Sequence, residues 1–184
     1  MLHPDNSALL FIDVQGKLAQ QMPQAEQLFH RLEQLLRGAL TLGLPIIWME
    51  QNPEGLGGTL PRFVGLLEGR SPLVKQSFSG WAEPGIRAAI VASGAQQLLL
   101  CGIEAHVCVY QSASDLLAAG YEVQVVADAV ASRDPNNRQL ALDRLVGDGA
   151  QLTSVEMALF ELLGGADNPA FPALLSVIKQ RADD

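Results

Sequence analysis

Residues 97–108 read Gln97-Leu-Leu-Leu-Cys101-Gly-Ile-Glu-Ala-His-Val-Cys108. After the glutamine, the first part is an unbroken apolar run, the pattern of a strand buried on both faces. Glycine and polar residues then interrupt it. A helical pattern begins at about His106 and reaches about Ala119, where Gly120 supplies a C-terminal cap. A buried strand feeding directly into a helix is half of a βαβ unit, so the rest of the chain should repeat that alternation.

It does so in both directions. Upstream, Ser7-Ala-Leu-Leu-Phe-Ile12 is a first strand, and Leu28, Leu32, Leu35, Leu36 and Ala39 keep helical spacing within a helix from about Gln24 to Leu42. Gly43 and Pro45 end that helix, and Pro45 to Met49 is a second strand. Glu50 to Gly58 carries one proline and three glycines and reads as a loop. Pro72-Leu-Val-Lys75 is a short third strand, and Pro84 opens a helix to about Ser93 before Gly94. Gln97 to Cys101 is then the fourth strand.

Downstream, the valine-rich Tyr121 to Ala127 is a fifth strand, and Asp134-Pro135 starts a helix that reaches about Val146. Ala150 to Leu152 is a sixth strand, Thr153-Ser-Val-Glu156 has capping-box spacing for the next helix, and the tail from Asn168 is helical. Strands that are apolar along their length and alternate with helices predict an α/β fold with a parallel sheet covered on both faces. Right-handed crossovers favour a doubly wound, Rossmann-like sheet in the order 3-2-1-4-5-6, with residues 1–184 as a single domain.

Composition narrows the function. The 184 residues are 48% hydrophobic and 17% charged, a globular balance, and no apolar run approaches the length of a membrane span. The N-terminus lacks the basic-then-apolar order of a signal peptide, so a soluble cytoplasmic protein is expected. A net charge of -8 with only 12 Lys and Arg argues against nucleic acid as partner. Two cysteines and three scattered histidines make no zinc spacing, and a reducing compartment disfavours a Cys101–Cys108 disulfide. Gly55-Leu-Gly-Gly58 matches neither a P-loop nor the dinucleotide fingerprint, so no nucleotide site is expected.

In such sheets ligands bind beyond the carboxyl ends of the strands. Asp13 follows the first strand, Lys75 ends the third, and Cys108 opens the helix after the fourth. Strands 1 and 4 would be neighbours, and Lys75 would start about 10 Å away, within reach of its long side chain. A thiol attacks as thiolate, and the first turn of a helix favours that anion. Asp13 suits the proton transfers as general base and then acid, and the Lys75 ammonium suits orienting it and stabilising negative charge. Taken singly, each residue has a plainer reading: Asp13 as a helix N-cap, Lys75 as a surface charge, a cysteine as a small buried hydrophobe. Cys101, inside an apolar strand, fits that last reading. Trp48, Phe78 and Trp81 flank the site as pocket walls or, for Trp48, as ordinary core.

Three blocks together resemble the signature of the isochorismatase-like (cysteine hydrolase) family: Ala8-Leu-Leu-Phe-Ile-Asp13-Val-Gln15, Lys75 with Phe78, and Cys101-Gly-Ile-Glu-Ala-His-Val-Cys108. Glu50-Gln51 with Pro53-Glu-Gly-Leu-Gly57, and Asp128-Ala129 with Ser132-Arg133, look most like the isochorismatase domain-containing protein 2 branch. The resemblance implies a three-layer α/β/α hydrolase fold and an Asp13-Lys75-Cys108 triad. It also implies a non-proline cis peptide at Ile103–Glu104, which would aim backbone N–H groups at the substrate oxygen, and no cofactor. Glu104 stands where many relatives have threonine, so its side chain is expected to shape the pocket, with Gln15, Glu50, Gln51, Phe78 and Trp81 lining it. Nicotinamidases of this kind hold a metal with Asp-x-His-x-x-His after the second strand. Here Glu50-Gln-Asn-Pro-Glu-Gly stands in that place, so no catalytic metal is expected.

The implied activity is cysteine-dependent hydrolysis of a small amide-like molecule. Relatives that cleave a vinyl ether without needing the cysteine, and an idle binding or assembly module on the same fold, are the alternatives. Relatives of this kind form dimers or larger rings, which predicts a homo-oligomer.

Overall fold

The structure, a computed structural model, describes residues 1–180. Six strands form one all-parallel sheet in the order β3-β2-β1-β4-β5-β6: β1 (Ser7–Ile12), β2 (Ile46–Gln51), β3 (Leu73–Lys75), β4 (Gln97–Ile103), β5 (Glu122–Ala131) and β6 (Gln151–Thr153). This is the predicted doubly wound order. Both faces of the sheet are covered, as the unbroken apolar runs require.

Side chains alternate between two hydrophobic layers. Leu9, Phe11, Leu99 and Cys101 face α2 (Ala25–Thr41), α8 (Val155–Leu163) and α9 (Phe171–Lys179), whose buried faces carry Leu32, Leu36, Leu159 and Leu174. Ala8, Leu10, Ile12, Leu98 and Leu100 face α5 (Pro84–Ala92), α6 (Tyr110–Ala118) and α7 (Pro135–Gly147), through Ile86, Ile90, Leu116, Leu142 and Leu145. Three short helices complete the set: α1 (Gly16–Gln20), α3 (Pro53–Leu56) and α4 (Pro61–Leu66).

Several boundaries differ from the sequence reading. The Glu50–Gly58 loop gives its first two residues to β2 and contains α3. Helix α4, six residues long, was too short to show a period. Ser154, not Thr153, caps α8, accepting from the Met157 N–H, while Asp134 caps α7 through the Asn136 N–H. The largest difference is at β5, which continues to Ala131 rather than ending near Ala127. Leu100 pairs with Val125 but Gly102 with Val130, so β5 advances five residues while β4 advances two. The surplus bulges out and is pinned by Arg138, which donates to the Ala127 and Val130 carbonyls, and by Asp128, which accepts from the Val155 N–H. Bulges beside active sites re-aim the residues that follow. Here those residues are Ser132 and Arg133.

Candidate active site

The register of the central strands sets the site. Ile12 pairs with Met49 on one side and Gly102 on the other, and Gln51 pairs with Lys75. Residues 13, 51, 75 and 103 onward therefore leave the sheet at one edge. Gly102 has φ +116 and lies so close to β1 that a Cβ would overlap the Ile12 carbonyl, so this approach demands glycine. Asp13 itself has φ +53, a left-handed conformation that aspartate tolerates better than most residues. The turn that follows is held by the Gln15 N–H donating to the Asp13 carbonyl at 2.8 Å. Asp13 is thus no helix cap; Gln15 occupies that position for α1.

Asp13 and Lys75 meet in the interior. Their side chains are 2% and 1% exposed as residues, and Lys75 Nζ lies 2.8 Å from Asp13 Oδ2. Lys75 Nζ also donates to Gln51 Oε1 at 2.7 Å and to the Phe78 and Ser77 carbonyls at 3.1 and 3.3 Å. Four oxygens therefore surround this ammonium, the partners that burying a cation requires. Beyond Lys75, the Asp13 carboxylate faces the Cys108 thiol and the Gln51 backbone. Burial pushes the Asp13 carboxyl up from its ordinary value, and Lys75 pulls against that rise.

Cys108 completes the cluster. It is 7% exposed and sits in a five-residue π-helical turn, Ala105–Val109, that leads into α6. Its thiol is beside the Asp13 carboxylate and the Lys75 ammonium. Burial pushes it up to about 12, the Asp13 negative charge acts in the same direction, and Lys75 pulls it down. The helix start therefore does not by itself make a resting thiolate. The residue does lie in the first turn of the helical segment that opens at Ala105, as expected, but burial and the Asp13 charge favour the thiol as its resting form. A carboxylate with raised proton affinity next to a protonated thiol is an arrangement for transferring that proton when attack occurs.

The remaining sequence-predicted residues fall into three groups. Gln15 is fully buried, with Nε2 donating to the Gln51 and Gly57 carbonyls and Oε1 accepting from the Gln51 N–H. Gln51 accepts from Lys75 and donates to the Gln76 carbonyl, while Glu50 accepts from Thr59 through both its N–H and hydroxyl. These three brace the site and offer a ligand little of their own polar surface. Phe78 contributes its carbonyl to Lys75, yet the residue is 52% exposed. Trp81 stacks edge-on against Tyr121, ring centroids 5.4 Å apart, under the Arg87 guanidinium. Tyr121 precedes β5, at the opposite end of the strands, so Trp81 is not brought to the triad.

The peptide bond Ile103–Glu104 is cis. Glu104 is 6% exposed. Its carboxylate turns to Arg133, accepting from the backbone N–H and Nε at 3.0 Å and from Nη2 at 3.1 Å. Burial alone pushes this carboxyl up, but the Arg133 hydrogen bonds and charge outweigh it and hold it below the usual range. Two residues on, His106 Nδ1 lies 2.9 Å from Ser132 Oγ. The end of β5 thus grips the turn that carries Cys108 at two points. This pairing was invisible in the sequence, because it depends on the β5 bulge. A cavity of about 350 Å³ opens behind that bulge, with Arg31, Asp128, Ser132 and Arg138 in its wall, and none of Asp13, Lys75 and Cys108 lines it.

The residues after β2 do not fit a metal. Glu50 is engaged by Thr59, and among the described residues no cluster of three or more His, Cys, Asp or Glu is placed to hold an ion. Nor, among them, is any helix long and apolar enough to cross a membrane.

Comparison with known proteins places this architecture. An isochorismatase domain model matches residues 7–157. Isochorismatase domain-containing protein 2 of Danio rerio is 36% identical over 184 residues, covering 100% of this chain and 92% of the relative. Isochorismatase domain-containing protein 1 of Salmo salar is 38% identical over 152 residues, 83% of this chain, although the match spans only 53% of that longer relative. Among solved structures, the MAR1 ribonuclease of Caenorhabditis elegans superimposes with a TM-score of 0.91 at 36% identity, covering 100% of this chain and 94% of that one. YcaC of Escherichia coli, an octameric hydrolase of unknown specificity, shares the fold with a TM-score of 0.90 at 24% identity, covering 96% and 89%. The chain therefore belongs to the isochorismatase family and carries its hydrolase fold.

Proposed function

We propose that this chain is a cysteine-dependent hydrolase of small amide-like substrates, working through Asp13, Lys75 and Cys108. The observation that carries this reading is the buried Asp13–Lys75 ion pair, 2.8 Å long, set against the Cys108 thiol at the carboxyl edge of the sheet. A buried carboxylate of raised proton affinity beside a thiol is the kind of perturbed pair found at functional sites.

In the first step Cys108 Sγ bonds to the substrate carbonyl carbon while its proton passes to Asp13. The carbonyl electron pair moves onto oxygen, where the N–H groups of Glu104 and Cys108 are the donors in this reading. Asp13 then protonates the leaving amine as the C–N bond breaks, leaving a thioester. Water attacks that thioester with Asp13 taking its proton. The acid departs, and the proton returns to the thiol. Throughout, Lys75 keeps Asp13 oriented and opposes premature protonation of its carboxylate. No step requires a metal or a cofactor. The two unpaired thiols fit a cytoplasmic setting, and the reading includes a single working domain that assembles with further copies of itself.

Turnover of a panel of small primary and secondary amides by the wild-type chain and by Cys108→Ala tests this. Loss of turnover in the variant is expected. A variant that still cleaves a vinyl ether such as isochorismate supports the cysteine-independent alternative, and a wild-type chain that turns over no amide supports the idle module. The name of the C. elegans relative makes RNA a necessary member of the panel. Against RNA stand the net charge of -8 and a site whose own amine is buried.

A further inference from the structure

The charges at the site balance in pairs. Lys75 is matched by Asp13, and Arg133 by Glu104 through three hydrogen bonds. Glu50 is turned away to Thr59, which also accepts from Trp48. His106 is held by Ser132. Thus each of the two cations brought to the site already has its own carboxylate, and neither is free to take an anionic ligand. Arg133 is the one that would otherwise do so. Its side chain is 58% exposed, and the β5 bulge aims it at the start of the Cys108 turn.

We propose that the site selects uncharged substrates, neutral carboxamides rather than carboxylates, and that Glu104 sets this specificity by occupying the Arg133 guanidinium. This deepens the nucleophile reading and rests on it. A substrate bearing a carboxylate would approach a buried Asp13 and an already neutralised Arg133. Its desolvation would go uncompensated. Taking the negative charge from residue 104 frees an arginine well suited to bidentate carboxylate binding.

Iodoacetamide and iodoacetate test this directly, being nearly the same size and differing in charge. Either reagent forms a C–S bond to Cys108 as the C–I bond breaks and iodide leaves, with the thiol proton released. Site-resolved alkylation rates at pH 9, each normalised to the same reagent on glutathione, give a neutral-to-anionic preference. Wild type is expected to prefer iodoacetamide roughly tenfold, the scale on which one nearby uncompensated charge acts. Glu104→Gln should move the ratio toward iodoacetate. Arg133→Gln, at an exposed position that tolerates change, should move it the other way, because Glu104 is then left unpaired.

Equal normalised rates in wild type, or ratios that neither variant shifts by more than about twofold, the scatter expected of a neutral surface change, would overturn the assignment while leaving the nucleophile in place. A Cys108 that reacts with neither reagent removes the nucleophile reading and this inference together. Thermal unfolding of Glu104→Gln separates a change of preference from loss of the fold.

Discussion

Cys101 and Cys108 are seven residues apart and both buried, yet they sit in different chemistry. Cys101 faces the α2–α8 side of the sheet, fully enclosed, with its sulfur 3.5 Å from the Leu10 carbonyl. Cys108 faces the α5–α6–α7 side, just beyond the sheet edge. Burial pushes both thiols up, Cys101 further because it is the more completely enclosed. What separates them is company. Beside Cys101 are hydrocarbon and a backbone carbonyl; beside Cys108 are a carboxylate able to take a proton and an ammonium able to keep that carboxylate in place. Low exposure makes a thiol inert unless a base is built next to it.

The largest expected effect comes from removing each sulfur in turn. Cys108→Ala should lower amide turnover by about 10³-fold or more, whereas Cys101→Ala should leave it within about twofold. Comparable losses from both would erase the distinction.

Removing the ammonium sharpens it. Lys75→Met leaves Asp13 buried and unpaired, a change that costs about 3–5 kcal/mol of stability, readable by urea denaturation at neutral pH. The deficit should shrink on acidification. Burial and the loss of Lys75 both raise the Asp13 carboxyl in the folded state. A group raised in this way favours folding in its protonated form below the unfolded value and loses that contribution as pH rises through the folded one. For the same reason, the acid limb of kcat/KM in wild type should lie above the ordinary carboxylate range of about 4, because Asp13 must be ionised to accept a proton. A deficit that is the same at pH 4 and pH 7 would mean that Asp13 is not the group involved.

The smallest effect concerns packing alone. Cys101→Ala empties a small volume among Leu9, Phe11 and Leu99 and should cost about 1–2 kcal/mol, with no dependence on pH between 5 and 8.

The two cysteines also mark what could be read from the chain. Cys101 lies in an apolar run whose meaning is local, and the six strands and their order followed from such runs. Asp13 and Lys75 were legible as polar residues directly after such a run or at its end. The partners of those residues were not. Gln51 reaching Lys75, Glu104 turning to Arg133 and His106 meeting Ser132 are contacts made across the sheet, 24, 29 and 26 residues apart in sequence. No periodicity encodes them. The β5 end was missed because Asp128 interrupts its apolar run, and its extended course depends on Arg138 and the start of α8. Trp81 was misplaced because proximity to Lys75 in sequence says nothing about which way the intervening loop runs. Ser79 bonded to Asp115, and the Gly80 N–H bonded to Ser112, carry that loop along α6 and away from the triad.

Asp13→Asn tests the central claim, that Asp13 carries the proton of Cys108. The carboxylate raises the thiol and Lys75 lowers it, so the variant should have a Cys108 alkylation midpoint below that of the wild type. Amide turnover should nonetheless fall by about 10²–10⁴-fold, because no group remains to shuttle the proton. A more easily ionised thiol in a dead enzyme is the predicted result. Turnover that survives Asp13→Asn near the wild-type rate would contradict the account.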